Sequence, residues 1–123
     1  MYHRAVARDQ YLAIAYFQCG VSNFLRSEFE IALANFNDAI LYLRGNTHID
    51  YDQLGLKYRL HFCEALFNRG LCYIYLQQKN LGMADLKLAS TKKVNPNHDV
   101  IDEAIREEAE VSGRMRVFLI SPS

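Results

Sequence analysis

Arg44, Asn46, His48 and Asp50 crowd into one short stretch, Arg44-Gly45-Asn46-Thr47-His48-Ile49-Asp50-Tyr51. Together they offer a forked guanidinium, an amide, an imidazole and a carboxylate, groups suited to reading a partner's backbone and polar side chains. Catalysis asks for something else: a nucleophile, base or metal gathered in a cleft. His3, His48, His61 and His98 fit neither H-x-x-x-H nor H-E-x-x-H ligand spacing. Gly45, Gly55, Gly70 and Gly82 stand singly, so no glycine loop cradles a phosphate. His61 lies near Cys63, but successive helical residues point about 100° apart, which suggests a surface histidine and a core thiol. The chain is expected to have no enzymatic activity, no metal and no cofactor.

Composition narrows the partners. Fourteen basic and fourteen acidic residues cancel in a chain of 123 residues, half of it apolar. That balance argues against nucleic acid as a ligand and fits a single modest domain. Apolar runs such as Leu71–Leu76 fall far short of a bilayer span, and the first residues do not open a signal peptide. Cys19, Cys63 and Cys72 are odd in number, lack C-x-x-C spacing and fall in apolar helical stretches. Reduced, buried thiols in a cytosolic protein are expected.

The elements that must position the polar run form a repeat. Gly20, Ala32, Phe36 and Ala39 recur as Gly70, Gly82, Leu86 and Ala89, fifty residues on, with Ala15 and Phe17 matched by Ala65 and Phe67. The internal pattern is that of the 34-residue tetratricopeptide (TPR) helix hairpin. The expected fold is all-α, a TPR solenoid whose array is interrupted after Leu43. Gly20 and Ala32 are read as the close crossing of the first helix pair, with Phe36 and Ala39 facing the next unit. Ser27-Glu28-Phe29-Glu30 reads as a capping box. In the second unit Gly82 replaces the usual alanine, and Arg69 stands where leucine is preferred. A terminal helix over about Asp99 to Glu110, apolar at Val100, Ile101, Ala104, Ile105 and Ala109, is expected to cover the end of the stack. Residues 1–12 read as the tail of an earlier repeat whose beginning is missing, so that 1–110 is a partial TPR domain of a fragment or truncated product. Residues 111–123 read as an irregular tail.

The interruption, at about residues 44–60, changes period. Ile49 and Tyr51 alternate with Asp50 and Asp52, and Leu54, Leu56, Tyr58 and Leu60 with Gly55, Lys57 and Arg59. Two extended pieces linked at Asp52-Gln53 make a β-hairpin laid against the helices. Gly45 is expected to end the preceding helix in a left-handed conformation.

At Ala13-Ile14-Ala15-Tyr16-Phe17-Gln18, at Leu43-Arg44-Gly45-Asn46…Ile49-Asp50-Tyr51…Leu54-Gly55-Leu56 and at Cys63-Glu64-Ala65-Leu66-Phe67-Asn68, the chain resembles a family. It is similar to the cytosolic activator subunit of the phagocyte NADPH oxidase, and more so to the fungal NADPH oxidase regulator NoxR. The resemblance covers about residues 4–110. It implies a TPR domain that binds a GTP-loaded Rac-type small GTPase through the inserted hairpin and the loops between repeats. That binding activates a membrane NADPH oxidase producing superoxide. Arg44, Asn46 and Asp50 match GTPase-contacting positions of the insert, and Asp9, in an inter-repeat turn Arg8-Asp9-Gln10, matches a contacting loop. His48 occupies a contact position at which the animal subunit has leucine, and Tyr11 one at which it has histidine. Such a protein would be cytoplasmic, recruited to the membrane by its partners without inserting, and the flavin and haem chemistry would belong to the oxidase.

A second function fits the repeat alone. TPR arrays hold extended peptides in a concave groove, lined here by Ile14, Phe17, Gln18, Val21, Glu64, Phe67, Asn68 and Leu71. Only Asn68 suits a clamp on a terminal carboxylate, which Glu64 would repel. An apolar groove could instead accept a hydrophobic segment, the protein's own downstream chain included.

Overall fold

The computed structural model describes residues 2–53, 55–94, 96–106, 118 and 121–122. Two helix hairpins dominate it: α1 (Tyr2–Leu25) with α2 (Phe29–Leu43), and α3 (Phe62–Tyr75) with α4 (Lys79–Ser90). Between the hairpins lie β1 (His48–Gln53) and β2 (Leu56–His61). A 3₁₀ turn (Pro96–Asp99) and α5 (Val100–Arg106) follow α4, and β3 (Ser121–Pro122) pairs antiparallel with β2.

The fifty-residue repeat reappears in backbone detail. Glu28 N–H donates to the Asn23 carbonyl at 2.8 Å and Gln78 N–H to the Tyr73 carbonyl at 2.8 Å. Ser27 N–H reaches Phe24 and Gln77 N–H reaches Ile74 in the same way, and both residues are left-handed, with φ of 65° and 69°. Each pair of bonds is a Schellman closure of the first helix of its hairpin. Ser27 therefore belongs to the end of α1. The expected capping box is absent, because the N-cap of α2 is Glu28, without a side-chain bond.

Small residues do their work at two different distances. A Cβ on Gly20 would lie 2.5 Å from the ring of Phe36, so this glycine makes room for an aromatic side chain. Phe36 turns back into its own hairpin, its ring 5.5 Å from that of Phe17, and does not serve chiefly to face the next unit. Gly70 and Gly82 instead bring backbone to backbone: a Cβ on Gly82 would sit 2.7 Å from the Gly70 carbonyl oxygen. Gly82 is thus the residue that the α3–α4 crossing requires. Arg69 has an explanation too: its guanidinium forks onto both oxygens of Asp85 at 2.7 and 2.8 Å and reaches Asn37 of α2 at 3.1 Å.

The core runs through both hairpins without a break, from Ala13 and Phe17 to Leu43, Leu66, Phe67, Leu71 and Leu86. Tyr75 stacks on Phe29 at 4.8 Å and meets Phe24 edge-on, tying the tip of the first hairpin to the end of α3. Ile101 and Ala104 of α5 are buried, as a covering helix demands, whereas Val100 is exposed; Ala109 lies outside the described residues. Among the described residues no helix is long and apolar enough to cross a membrane.

Other expectations are corrected. The helix α1 passes unbroken through Arg8, Asp9 and Gln10, where a turn between repeats was anticipated; Tyr2 to Leu12 contains no glycine or proline to stop it. Cys19 is exposed, while Cys63 and Cys72 are buried. The helical fold carries its inserted hairpin as expected, but the end of the tail adds a third strand to it. Ser121–Pro122 is accordingly a strand within a segment expected to be irregular.

Candidate functional site

The first hairpin ends at Arg44, which itself adopts the left-handed conformation, φ 56° and ψ 36°. Gly45 follows at φ 81°, so two consecutive residues, and not glycine alone, turn the chain out of α2. Asn46 stabilises that exit: its backbone N–H and its side-chain amide both donate to the Leu43 carbonyl, at 3.0 and 2.9 Å. The chain then enters β1, whose register with β2 places Ile49 opposite Leu60, Asp50 opposite Arg59 and Tyr51 opposite Tyr58. Ile49 and Leu60 go inward; His48, Asp50 and Asp52 remain exposed. The period-two reading of the insert therefore agrees with the strands. The link does not: β1 continues through Asp52 and Gln53, and the reversal comes at Gly55, φ 81°.

The structure brings two of the five expected contact residues into direct contact. Arg44 Nε donates to Asp9 Oδ2 at 2.9 Å, joining the end of α2 to α1 across 35 residues of sequence. The Arg44 side chain is still 58% exposed, so much of the guanidinium remains presentable. Two residues further along α1, Tyr11 meets Tyr51 of β1 at 6.0 Å between ring centroids. Asp50 is held by Arg59 at 2.7 Å, and that hydrogen bond keeps its carboxyl below the usual range. His48 is exposed and is not bonded to the other four in the described contacts. Asn46 spends its amide N–H on Leu43.

Two further features stand out: one bears on the groove anticipated from the repeat, and the other escaped sequence reasoning. Asn68 of α3 grips the backbone of Phe118, its amide donating to the carbonyl at 3.0 Å and its Oδ1 accepting the Phe118 N–H at 2.8 Å. The Phe118 ring meets Phe67 edge-on at 5.1 Å. The groove-lining positions on α3 are therefore buried, and one of them holds downstream chain. Losing that two-point grip leaves a buried amide partner unpaired, so Asn68→Ala should cost about 1–2 kcal/mol. It should also raise proteolytic cleavage of the chain beyond residue 106, read by limited digestion. Equal cleavage rates in the two proteins would contradict the grip.

The second feature is a buried polar cluster. His61 is 8% exposed, not on the surface, because it closes β2 and serves as N-cap of α3. Glu64 Oε1 accepts the His61 backbone N–H at 3.1 Å, and His98 Nε2 lies 2.9 Å from Glu64 Oε2. Val94 N–H donates to His98 Nδ1 at 3.1 Å, which puts the ring proton on Nε2, toward Glu64. Cys63 Sγ lies 3.3 Å from the same Nδ1, and burial pushes its thiol up to about 12. Burial also lowers both histidines and raises Glu64 to about 6. Only Glu64's three-residue spacing from His61 could have signalled this; His98 arrives from 34 residues away.

The raised Glu64 value carries a sign. The fold favours the protonated carboxyl, so its contribution is fully present below about pH 4.5 and is lost as pH rises through about 6. The loss amounts to about 2 kcal/mol, from one and a half pKa units. Denaturant titrations of wild type and Glu64→Gln should show their stability difference shifting by that amount against wild type between pH 4.5 and 6.5. A difference independent of pH would contradict it.

In class, the molecule is a helix-hairpin repeat protein carrying a polar β-ribbon between its repeats. Its relatives agree with one another. The chain is 36% identical to human neutrophil cytosol factor 2 over 102 residues, which is 83% of this chain and 19% of the relative. It is 37% identical over 70 residues to an NADPH oxidase activator of Dictyostelium discoideum, covering 57% of this chain and 12% of that one. It is 40% identical over 67 residues to NADPH oxidase activator 1 of Rattus norvegicus, covering 54% and 15%. The chain belongs to the NADPH oxidase activator family and spans less than a fifth of the length of these relatives. No protein-family model matches it.

Proposed function

We propose that this chain is the GTPase-binding part of a non-catalytic adaptor. Its helix hairpins are TPR units, and its inserted ribbon docks a Rac-type small GTPase in the GTP form to activate a membrane NADPH oxidase. The observation that carries this reading is the Arg44–Asp9 pair at the mouth of the ribbon, in a chain related to NADPH oxidase activators. Arg44 is anchored at one edge and open at the other, ready to donate to carbonyls or a carboxylate. Asp50, fixed by Arg59, accepts hydrogen bonds; Asn46 and His48 complete the polar face. GTP orders the switch segments of small GTPases, so the ribbon meets a surface that the GDP form does not present. The protein acts in the cytoplasm and reaches the membrane through its partners. Hydrogen exchange tests the location: adding the GTP-loaded GTPase should protect amides from Arg44 to Asp52. Protection confined to α3 would overturn the reading.

A second reading has its own observation. Asn68 already bonds both the N–H and the carbonyl of Phe118, so the α3 face can hold a peptide backbone. A generic scaffold that binds a peptide there would exchange Phe118 for its ligand.

A further inference from the structure

We propose that His61, Glu64 and His98 form a binding site for one divalent transition-metal ion of the zinc class. One ligand atom from each residue lies within 4.8 Å of the other two, and all three residues are buried. Two imidazoles and a carboxylate are a usual ligand set for zinc, with the fourth position left to water. His98 Nε2 and Glu64 Oε2 lie 2.9 Å apart, and opening to the roughly 3.3 Å that tetrahedral bonds of about 2.0–2.1 Å require is a shift of a few tenths of an ångström.

Two observations point to a missing cation. The first is His61 Nδ1, which is buried with no hydrogen-bond partner, on a residue more than nine-tenths buried. Its ring is turned toward the Glu64 backbone N–H as in a capping box, yet falls short of a proper bond. An orphaned ring nitrogen in such a place wants a proton or a metal. The second is charge. Glu64 is buried, and the two donors it receives are a backbone N–H and a neutral imidazole. A buried carboxylate held only by neutral donors is costly, and a bound cation removes that cost.

The surroundings suit the ion. Glu64 Oε1 is oriented by the His61 N–H, leaving Oε2 as the ligand, and such outer contacts are typical of metal centres. When the ion takes His98 Nε2, the ring keeps one proton, now on Nδ1, where Cys63 Sγ can accept it at 3.3 Å. Val94 N–H then loses its acceptor and turns away. The site joins the end of the ribbon, the start of α3 and the 3₁₀ turn before α5, so metal binding would lock the covering helix onto the insert.

The test uses the full chain, stripped with chelator and titrated calorimetrically with Zn²⁺ alone. About one ion per chain should bind, and a hundredfold excess over Kd should raise Tm by roughly 10 °C. Co²⁺ should give visible d–d bands without a thiolate charge-transfer band, since Cys63 faces the other ring nitrogen. His61→Phe keeps the Glu64–His98 pair and an apolar core residue, so it should fold by circular dichroism while losing about tenfold or more in affinity. Glu64→Gln should lose at least as much. Stoichiometric binding that survives His61→Phe, a thiolate band with Co²⁺, or no binding at all would each overturn the proposal.

Discussion

Arg44→Ala should weaken the proposed binding to a GTP-loaded Rac-type GTPase by tens-fold or more, while the thermal transition of the chain should stay close to wild type. Truncating one partner of a buried, hydrogen-bonded charge contact costs on the order of 2–5 kcal/mol at an interface. The same pair costs little in the free protein, because Arg44 is 58% exposed and exposed ion pairs contribute about 0–1 kcal/mol. The two effects therefore separate cleanly. Asp9→Ala should weaken binding less, through the looser guanidinium it leaves. The double variant should be no worse than Arg44→Ala, since Asp9 is argued to act chiefly through Arg44. Calorimetry on the four proteins checks this; full additivity would show that the two residues touch the partner independently.

Gly82→Ala destabilises the chain by about 3 kcal/mol, the upper end of overpacking costs. An added methyl would stand 2.7 Å from the Gly70 carbonyl oxygen and 2.5 Å from Ile74 Cγ1. Ile74 could rotate, but the carbonyl belongs to a packed helix and could move only with α3. Helix propensity works the other way and returns about 1 kcal/mol, too little to reverse the sign. The measurement is a denaturant midpoint against wild type, with Gly20→Ala alongside. The atoms nearest a Gly20 methyl all belong to a side chain, the Phe36 ring, so a Phe36→Leu partner substitution should relieve part of its cost. No such partner should rescue Gly82→Ala. A Gly82→Ala protein as stable as wild type would mean the α3–α4 crossing is looser than the geometry shows.

What the sequence revealed and what it hid divide along a physical line. The repeat was legible because the same residue types meet the same demands fifty positions apart, small residues where helices or rings press close. The ribbon was legible because a sheet edge imposes period two on Ile49, Tyr51, Tyr58 and Leu60. Turns were misplaced by one or two residues, since Ser27 and Arg44 take left-handed geometry that glycine would ordinarily mark. The continuity of α1 through Asp9 was missed because the repeat arithmetic, not the local residues, suggested a turn there. The Asn68–Phe118 grip was legible by half: Asn68 stood out in a groove open to downstream chain, but a side chain that reads backbone is indifferent to the residue it holds. The His61–Glu64–His98 cluster stayed hidden, because its members meet only once α3 and the 3₁₀ turn have packed. For the site itself, the polar run named the residues, but only the fold disclosed that Arg44 is braced by Asp9 and Asp50 by Arg59.

The most direct test of the account is a calorimetric titration of this chain with one Rac-type GTPase, loaded in turn with a non-hydrolysable GTP analogue and with GDP. Saturable binding to the GTP-analogue form, abolished by Arg44→Ala and absent with GDP, is the predicted result. Equal affinity for the two nucleotide states, or an Arg44→Ala protein that binds like wild type, would contradict it.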